Sequence, residues 1–167
     1  MNYQQIYSQI SSWFNGHPTA HKMLIWSNTL IVWVMYIAYF SLLLWLIIAP
    51  QSLWPFIVIP GGSFVLLSIV RRQLNYARPY EKWPIKPLIP REGRGESMPS
   101  RHVFSAVMIA LCVWLIQWWL GLILLGLALT LAFIRVIGGV HYPRDVIVGA
   151  LCGLLAGAML FIVISYH

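Results

Sequence analysis

The 167-residue sequence has little charge and almost no acid: four Asp and Glu stand against eleven Lys and Arg, and charged residues make up 9% of the chain. A soluble domain of this length needs a polar surface, which a chain that is 60% hydrophobic cannot supply. The bilayer is therefore the expected solvent. The four carboxylates, Glu81, Glu92, Glu96 and Asp145, are too few and too scattered to hold a pair of metal ions for hydrolysis. The two cysteines, Cys112 and Cys152, sit inside apolar runs, and no Cys/His spacing resembles a zinc site. Both read as reduced packing residues. A cleavable signal peptide is missing too, because residues 1–20 lack a basic start ahead of an apolar stretch. The first true span is then expected to direct insertion.

Aromatic residues are plentiful. Nine Trp and eight Tyr suit a protein with interfacial belts. The net charge of +7 would suggest nucleic acid in a soluble protein; in a membrane protein it points to anionic head groups or phosphorylated lipids, with no nucleic acid. A spanning helix needs about 20 mostly apolar residues. Five stretches qualify, over about 24–48, 52–70, 103–119, 121–137 and 146–165. The second carries "PGG" at 60–62, which is expected to kink or unwind it. Residues 2–15 are expected to lie along the interface as an amphipathic helix. The fold class is thus all-α, a polytopic bundle of about five transmembrane helices plus that N-terminal helix. The whole of 1–167 is expected to form one membrane-embedded domain, without repeats.

Five spans impose a topology. The second and fourth exit on the side where the chain begins, and the third and fifth enter from it. The polar segment 71–102 and the loop 138–145 therefore share that side. All Lys, Arg, Asp and Glu fall on it or at its edge. The opposite connections, "APQS" and "QWWLG", carry no charge and are flanked by Trp45, Trp54, Trp118 and Trp119. In the fifth span Gly149, Gly153 and Gly157 recur on one helical face, which suits close packing inside the bundle better than dimerisation.

Three polar clusters collect on the charged side. In "RRQLNYARPY", Arg71 and Arg78 share a face if the second span's helix continues, with Pro79 favouring its end at Arg78. In "MPSRH", Pro99 and Ser100 read as a helix start, with Ser100 as N-cap and His102 in a first turn whose N–H groups suit an anion. In "RVIGGVHYPRD", Arg135 ends the fourth span and His141 precedes Asp145 by four residues. A carboxylate there can accept from one ring nitrogen and raise the basicity of the other. Each cluster alone has a plain structural reading: a basic stop-transfer collar, a capped helix, loop polar residues. Their conjunction on one membrane face marks a functional site, and a metal-free histidine nucleophile suits the inventory.

The clusters resemble the three signatures of the type 2 phosphatidic acid phosphatase family: Lys-x6-Arg-Pro, Pro-Ser-Gly-His, and Ser-Arg-x5-His-x3-Asp. Here these read "RRQLNYARP" from Arg71, "PSRH" from Pro99 and "IRVIGGVHYPRD" from Ile134. Arg71 replaces the lysine, Arg101 the glycine and Ile134 the serine, while both histidines and the aspartate are kept. The resemblance implies a membrane lipid phosphatase without cofactor or metal. It implies that His141 attacks phosphorus, Asp145 orients its ring, and His102 serves as acid and then base. Arg71, Arg78, Ser100, Arg101 and Arg135 would hold the phosphate, with Arg72 a secondary candidate. Undecaprenyl diphosphate is the expected substrate, with phosphatidylglycerophosphate and phosphatidic acid as alternatives.

Two other readings compete. A catalytically silent protein could bind anionic lipid through Arg72, Lys82, Lys86, Arg91 and Arg94, though that leaves the two histidines and Asp145 without a purpose. A phosphotransferase would pass the phosphoryl group to another lipid. For orientation, the positive-inside rule puts the charged face in the cytoplasm. The resemblance instead implies a site outside the bacterial plasma membrane, and that expectation is adopted here.

Overall fold

The computed structural model describes residues 3–90 and 93–166; Arg91 and Glu92 lie outside the described residues, as does the first residue of the N-terminal helix expected over 2–15. The described chain is helical throughout its ordered elements: α1 (Tyr3–Gly16), α2 (Pro18–Ile48), α3 (Trp54–Leu74), α4 (Pro79–Lys82), α5 (Arg101–Ile116), α6 (Trp118–Ile137) and α7 (Pro143–Ser165). Among the described residues, four segments are long and apolar enough to cross a membrane: Pro18–Ile48, Trp54–Lys82, Trp118–Ile137 and Pro143–Ser165. Their outer faces carry large apolar side chains in the open, among them Trp26, Trp33, Phe40, Ile48, Phe133 and Leu155. In water such a surface would aggregate; in lipid it is the solvated face. Trp45, Trp54, Trp118 and Trp119 are exposed near the ends of their helices.

The third expected span, 103–119, departs from the others. It is realised as α5, 16 residues ending before Gln117, or about 24 Å at 1.5 Å per residue. Val103, Phe104, Ala106, Val107, Met108, Ile109, Ala110, Cys112 and Val113 are all buried, while Trp114 near the helix's end is exposed. A helix packed around most of its circumference is the bundle's centre. The break falls at Gln117 rather than after the tryptophans, and Trp118 and Trp119 open α6.

The "PGG" stretch does not unwind α3. The helix runs unbroken through Pro60, Gly61 and Gly62. Pro60 has no N–H for the carbonyl of Phe56, four residues earlier. The Tyr39 hydroxyl on α2 donates to that carbonyl instead, at 2.7 Å. A neighbouring side chain thus supplies the missing donor, as helices in lipid require.

The glycine stripe packs inside the bundle. A Cβ at Gly149 would stand 2.6 Å from the carbonyl oxygen of Ser100, and one at Gly153 would meet Phe104 O at 3.0 Å. At Gly157 the neighbour would be Leu111. Glycine at these positions lets α7 lie directly on α5. Tyr3, Tyr7, Ile10 and Phe14 follow the same face of α1 and pack on the core. That seats α1 against the polar end of the bundle, where the Tyr7 hydroxyl accepts from the Leu88 N–H at 3.1 Å.

Candidate active site

The ends of α3, α5, α6 and α7 meet at one pole. Arg71 Nη1, in the last turn of α3, donates to the carbonyl of Pro99 at 3.0 Å. The backbone N–H of Ser100, ahead of α5, donates to the carbonyl of Asp145 in the first turn of α7 at 2.9 Å. Arg78 Nη1 donates to the carbonyl of Val140 at 3.3 Å. The three clusters of the sequence are therefore joined by direct hydrogen bonds. Arg71, Arg78, Ser100, Arg135, His141 and Asp145 are all at most 3% exposed.

His141 stands on the loop between α6 and α7. Gly139, at φ +73°, turns that loop, and a Cβ there would strike the ring of Tyr7. His141 Nδ1 lies 3.7 Å from Asp145 Oδ2, an ion-pair separation longer than a hydrogen bond. Asp145 Oδ2 also accepts from the Ser97 hydroxyl at 2.5 Å and from the Tyr142 N–H at 2.9 Å. The imidazole pKa is lowered to about 4, chiefly because burial disfavours the cation. Arg135 and Arg78 push it the same way, and Asp145 opposes them. A neutral ring whose Nδ1 faces a carboxylate places its proton there and leaves the lone pair on Nε2.

The arginines take different roles. Arg71 and Arg78 do not share a helical face as expected, because α3 ends at Leu74 with Asn75 in the left-handed conformation (φ 40°). Arg78 instead opens α4, its N–H donating to Glu81 Oε2 at 2.6 Å. Its side chain also donates Nε to Gly95 O at 3.0 Å and Nη2 to Glu96 O at 3.4 Å. That ties the polar loop to the loop between α6 and α7. Arg71 Nε pairs with Glu96 Oε2 at 3.4 Å. Arg135 Nη1 donates to Asn28 Oδ1 on α2 at 3.2 Å. Arg71, Arg78 and Arg135 thus bring three buried guanidinium groups to one pole, a concentration of positive charge that suits an anion.

Ser100 holds the N-cap position of α5, yet its hydroxyl does not cap the helix. The Oγ is buried without a hydrogen-bond partner, while the backbone of Ser100 is held by Asp145 and Phe104. Its hydroxyl is left available to a ligand. His102 and Arg101 are partly buried and line a cavity of about 290 Å³ with Ser105, Tyr36, Phe64 and aliphatic side chains. Arg101 lies within electrostatic reach of Arg71. Arg72 is exposed at the end of α3.

Two residues of this pole escaped the sequence reading. Ser97, fully buried, lies in the polar loop with no periodicity to mark it. Asn28 is a lone amide inside the first apolar run, and a polar residue in a span is the signal that could have found it.

A family model described as the PAP2 superfamily matches residues 52–167, more than half of the chain. Among solved structures, the crystal structure of Aquifex aeolicus LpxE is similar with a TM-score of 0.72 and 24% identity, covering 96% of this chain and 99% of that one. The first transmembrane PAP2 type phosphatidylglycerolphosphate phosphatase from Bacillus subtilis is similar with a TM-score of 0.62 and 16% identity, covering 94% of this chain and 91% of that one. At these identities the likeness is one of fold. No curated protein matches the chain.

Proposed function

The chain belongs to the PAP2 superfamily, and on that premise we propose that it is an integral-membrane lipid phosphatase releasing the terminal phosphate of a lipid phosphate or diphosphate. The observation that carries this reading is His141, buried with Nδ1 3.7 Å from Asp145 Oδ2 and flanked by Arg78 and Arg135. The similar protein from Bacillus subtilis, a PAP2 type phosphatidylglycerolphosphate phosphatase, supports the reading. Undecaprenyl diphosphate is the substrate we assign, in the bacterial plasma membrane with the site facing outward.

In this mechanism His141 Nε2 attacks phosphorus, and the bond from phosphorus to the leaving oxygen breaks. Protonated His102 gives that oxygen its proton. Asp145 holds the Nδ1 proton and stabilises the positive charge of the resulting phosphohistidine. A water, losing a proton to His102, then displaces His141 and frees inorganic phosphate. Arg71, Arg78, Arg135 and the Ser100 hydroxyl hold the non-bridging oxygens, where transition-state charge spreads. The cavity that reaches His102 and Arg101 has polar and aliphatic walls, which suits the lipid side of the scissile bond. Metal-independent chemistry is part of this proposal, and release in the presence of chelator tests it.

The test is phosphate release by the purified protein from undecaprenyl diphosphate, phosphatidylglycerophosphate and phosphatidic acid, with and without chelator. Release should survive the chelator and disappear in His141→Ala and Asp145→Asn while both variants keep their melting profile. Acid-labile phosphate should be trapped on the wild-type chain. Full release by His141→Ala would exclude the reading.

A further inference from the structure

We infer that Ser97 is a positioning residue of the reaction, acting on the nucleophile through Asp145. This rests on the reading of His141 as the nucleophile. Ser97 is fully buried, and its hydroxyl donates to Asp145 Oδ2, the same oxygen that faces His141 Nδ1. Its backbone is fixed as well, the Ser97 N–H donating to Tyr76 O at 2.8 Å. The hydroxyl is therefore delivered by a tethered loop and cannot turn to water.

The donor changes what Asp145 can do. Oδ2 accepts from Ser97 on one side and from the Tyr142 N–H on another, which fixes the carboxyl plane relative to the imidazole. Oδ1 has no hydrogen-bond partner, and its nearest charge is Arg144 Nε at 3.6 Å. Ser97 is thus the side chain that holds Asp145 from across the bundle, because Tyr142 and Arg144 belong to the same stretch of chain as the carboxylate. It also draws negative charge away from the imidazole. A carboxylate relieved of that donor would stabilise imidazolium more strongly.

The same loop binds the phosphate-side arginines. Gly95 O and Glu96 O accept from Arg78, and Glu96 Oε2 and Pro99 O accept from Arg71. Ser97 sits between these contacts, so one segment sets the arginine positions and the orientation of the histidine's partner. The charged and titratable groups around the pair are Arg78 ahead of α4, Arg135 on α6, Arg144 on α7, Tyr142, and Tyr3 on α1. α5 contributes the Ser100 N–H, which donates to Asp145 O at 2.9 Å.

The test compares Ser97→Ala, Ser97→Thr and Ser97→Cys with wild type on undecaprenyl diphosphate, phosphatidylglycerophosphate and phosphatidic acid. Ser97→Ala should lower kcat by about tenfold to a hundredfold, with KM changed far less, as expected when a reacting group is misplaced by a fraction of an ångström. The acid limb of kcat/KM should move to higher pH by about half a unit or more, because Asp145 then favours imidazolium. Ser97→Thr, which keeps the hydroxyl, should restore kcat and the limb. Ser97→Cys, of similar size but a weaker donor, should fall between and serves if the alanine variant does not fold. Unchanged kcat in the alanine and cysteine variants overturns the inference. So does a lower kcat with the acid limb unmoved, which would mean a packing role only. Neither result touches the nucleophile assignment, which fails only if His141→Ala stays active.

Discussion

Gly149 lies against Ser100 so closely that a methyl group on it would stand 2.6 Å from the Ser100 carbonyl oxygen. That contact registers the start of α7 on the start of α5, and the Ser100 N–H to Asp145 O hydrogen bond follows from it. Gly149→Ala must push the two helix ends apart at the point where Asp145 is aimed. Overpacking of this kind costs about 1–3 kcal/mol, and kcat should fall by more than about tenfold because the carboxylate moves with the helix. At Gly157, further along the same face, the obstacle is the Leu111 side chain, whose terminal methyl can turn away. Gly157→Ala should keep its kcat within about twofold. Thermal melts and turnover measured on both variants check the contrast.

Acid should disable the enzyme only at low pH. The imidazole of His141, lowered to about 4 chiefly by burial, stays neutral from pH 7 down to pH 5. Its lone pair is lost as pH falls through about 4, and the part of kcat/KM that depends on it should fall about tenfold per unit below that. An ordinary histidine, near 6.5, would already be charged at pH 5. The sign for stability follows from the same shift. The unfolded chain binds a proton between pH 6.5 and about 4 that the folded chain refuses, so this group's contribution is complete above 6.5 and is lost as pH falls toward 4. A ring-proton titration of His141 by NMR, with His102→Gln to simplify the spectrum, reads the value directly. A midpoint near 6.5 would show that burial does not govern the group.

The sequence announced the pole but not its internal wiring. Apolar runs and their charged ends located α3, α6, α7 and the end of α2 to within a few residues, because lipid demands length and apolarity that few other folds need. The spacing of His141 and Asp145 carried over because both sit within one helical turn of the α7 start. Arg78 was misplaced onto the helix of Arg71, since nothing in "QLNYARP" states that Asn75 turns left-handed and ends α3. Pro60 looked like a break because the compensating donor, Tyr39, comes from a different helix. Ser97 was invisible for the same reason, since it matters through a partner far away in sequence; Asn28 stood out as an amide in an apolar run, but its partner Arg135 did not.

Asn28 offers the sharpest test of the phosphate side. Its Oδ1 accepts from Arg135 Nη1 at 3.2 Å, and it lies on the α2 face that also buries Leu24, Ile31 and Met35. A single amide so placed fixes the direction of a guanidinium that the proposed mechanism sets on the phosphate. Asn28→Ala removes that hold, so ground-state binding should suffer first and KM should rise by about tenfold, with a smaller change in kcat. Asn28→Asp should be worse for substrate, since a carboxylate at 3.2 Å competes with the phosphate for the same cation. It should nevertheless be no less stable than Asn28→Ala, because the new charge finds Arg135 as its partner. Thr29, exposed on the neighbouring face and bonded only to its own helix at Ile25 O, supplies the control. Thr29→Ala should leave KM and kcat within about twofold of wild type. If Asn28→Ala matches that control, Arg135 is oriented by its own packing and the amide has no part in binding the phosphate.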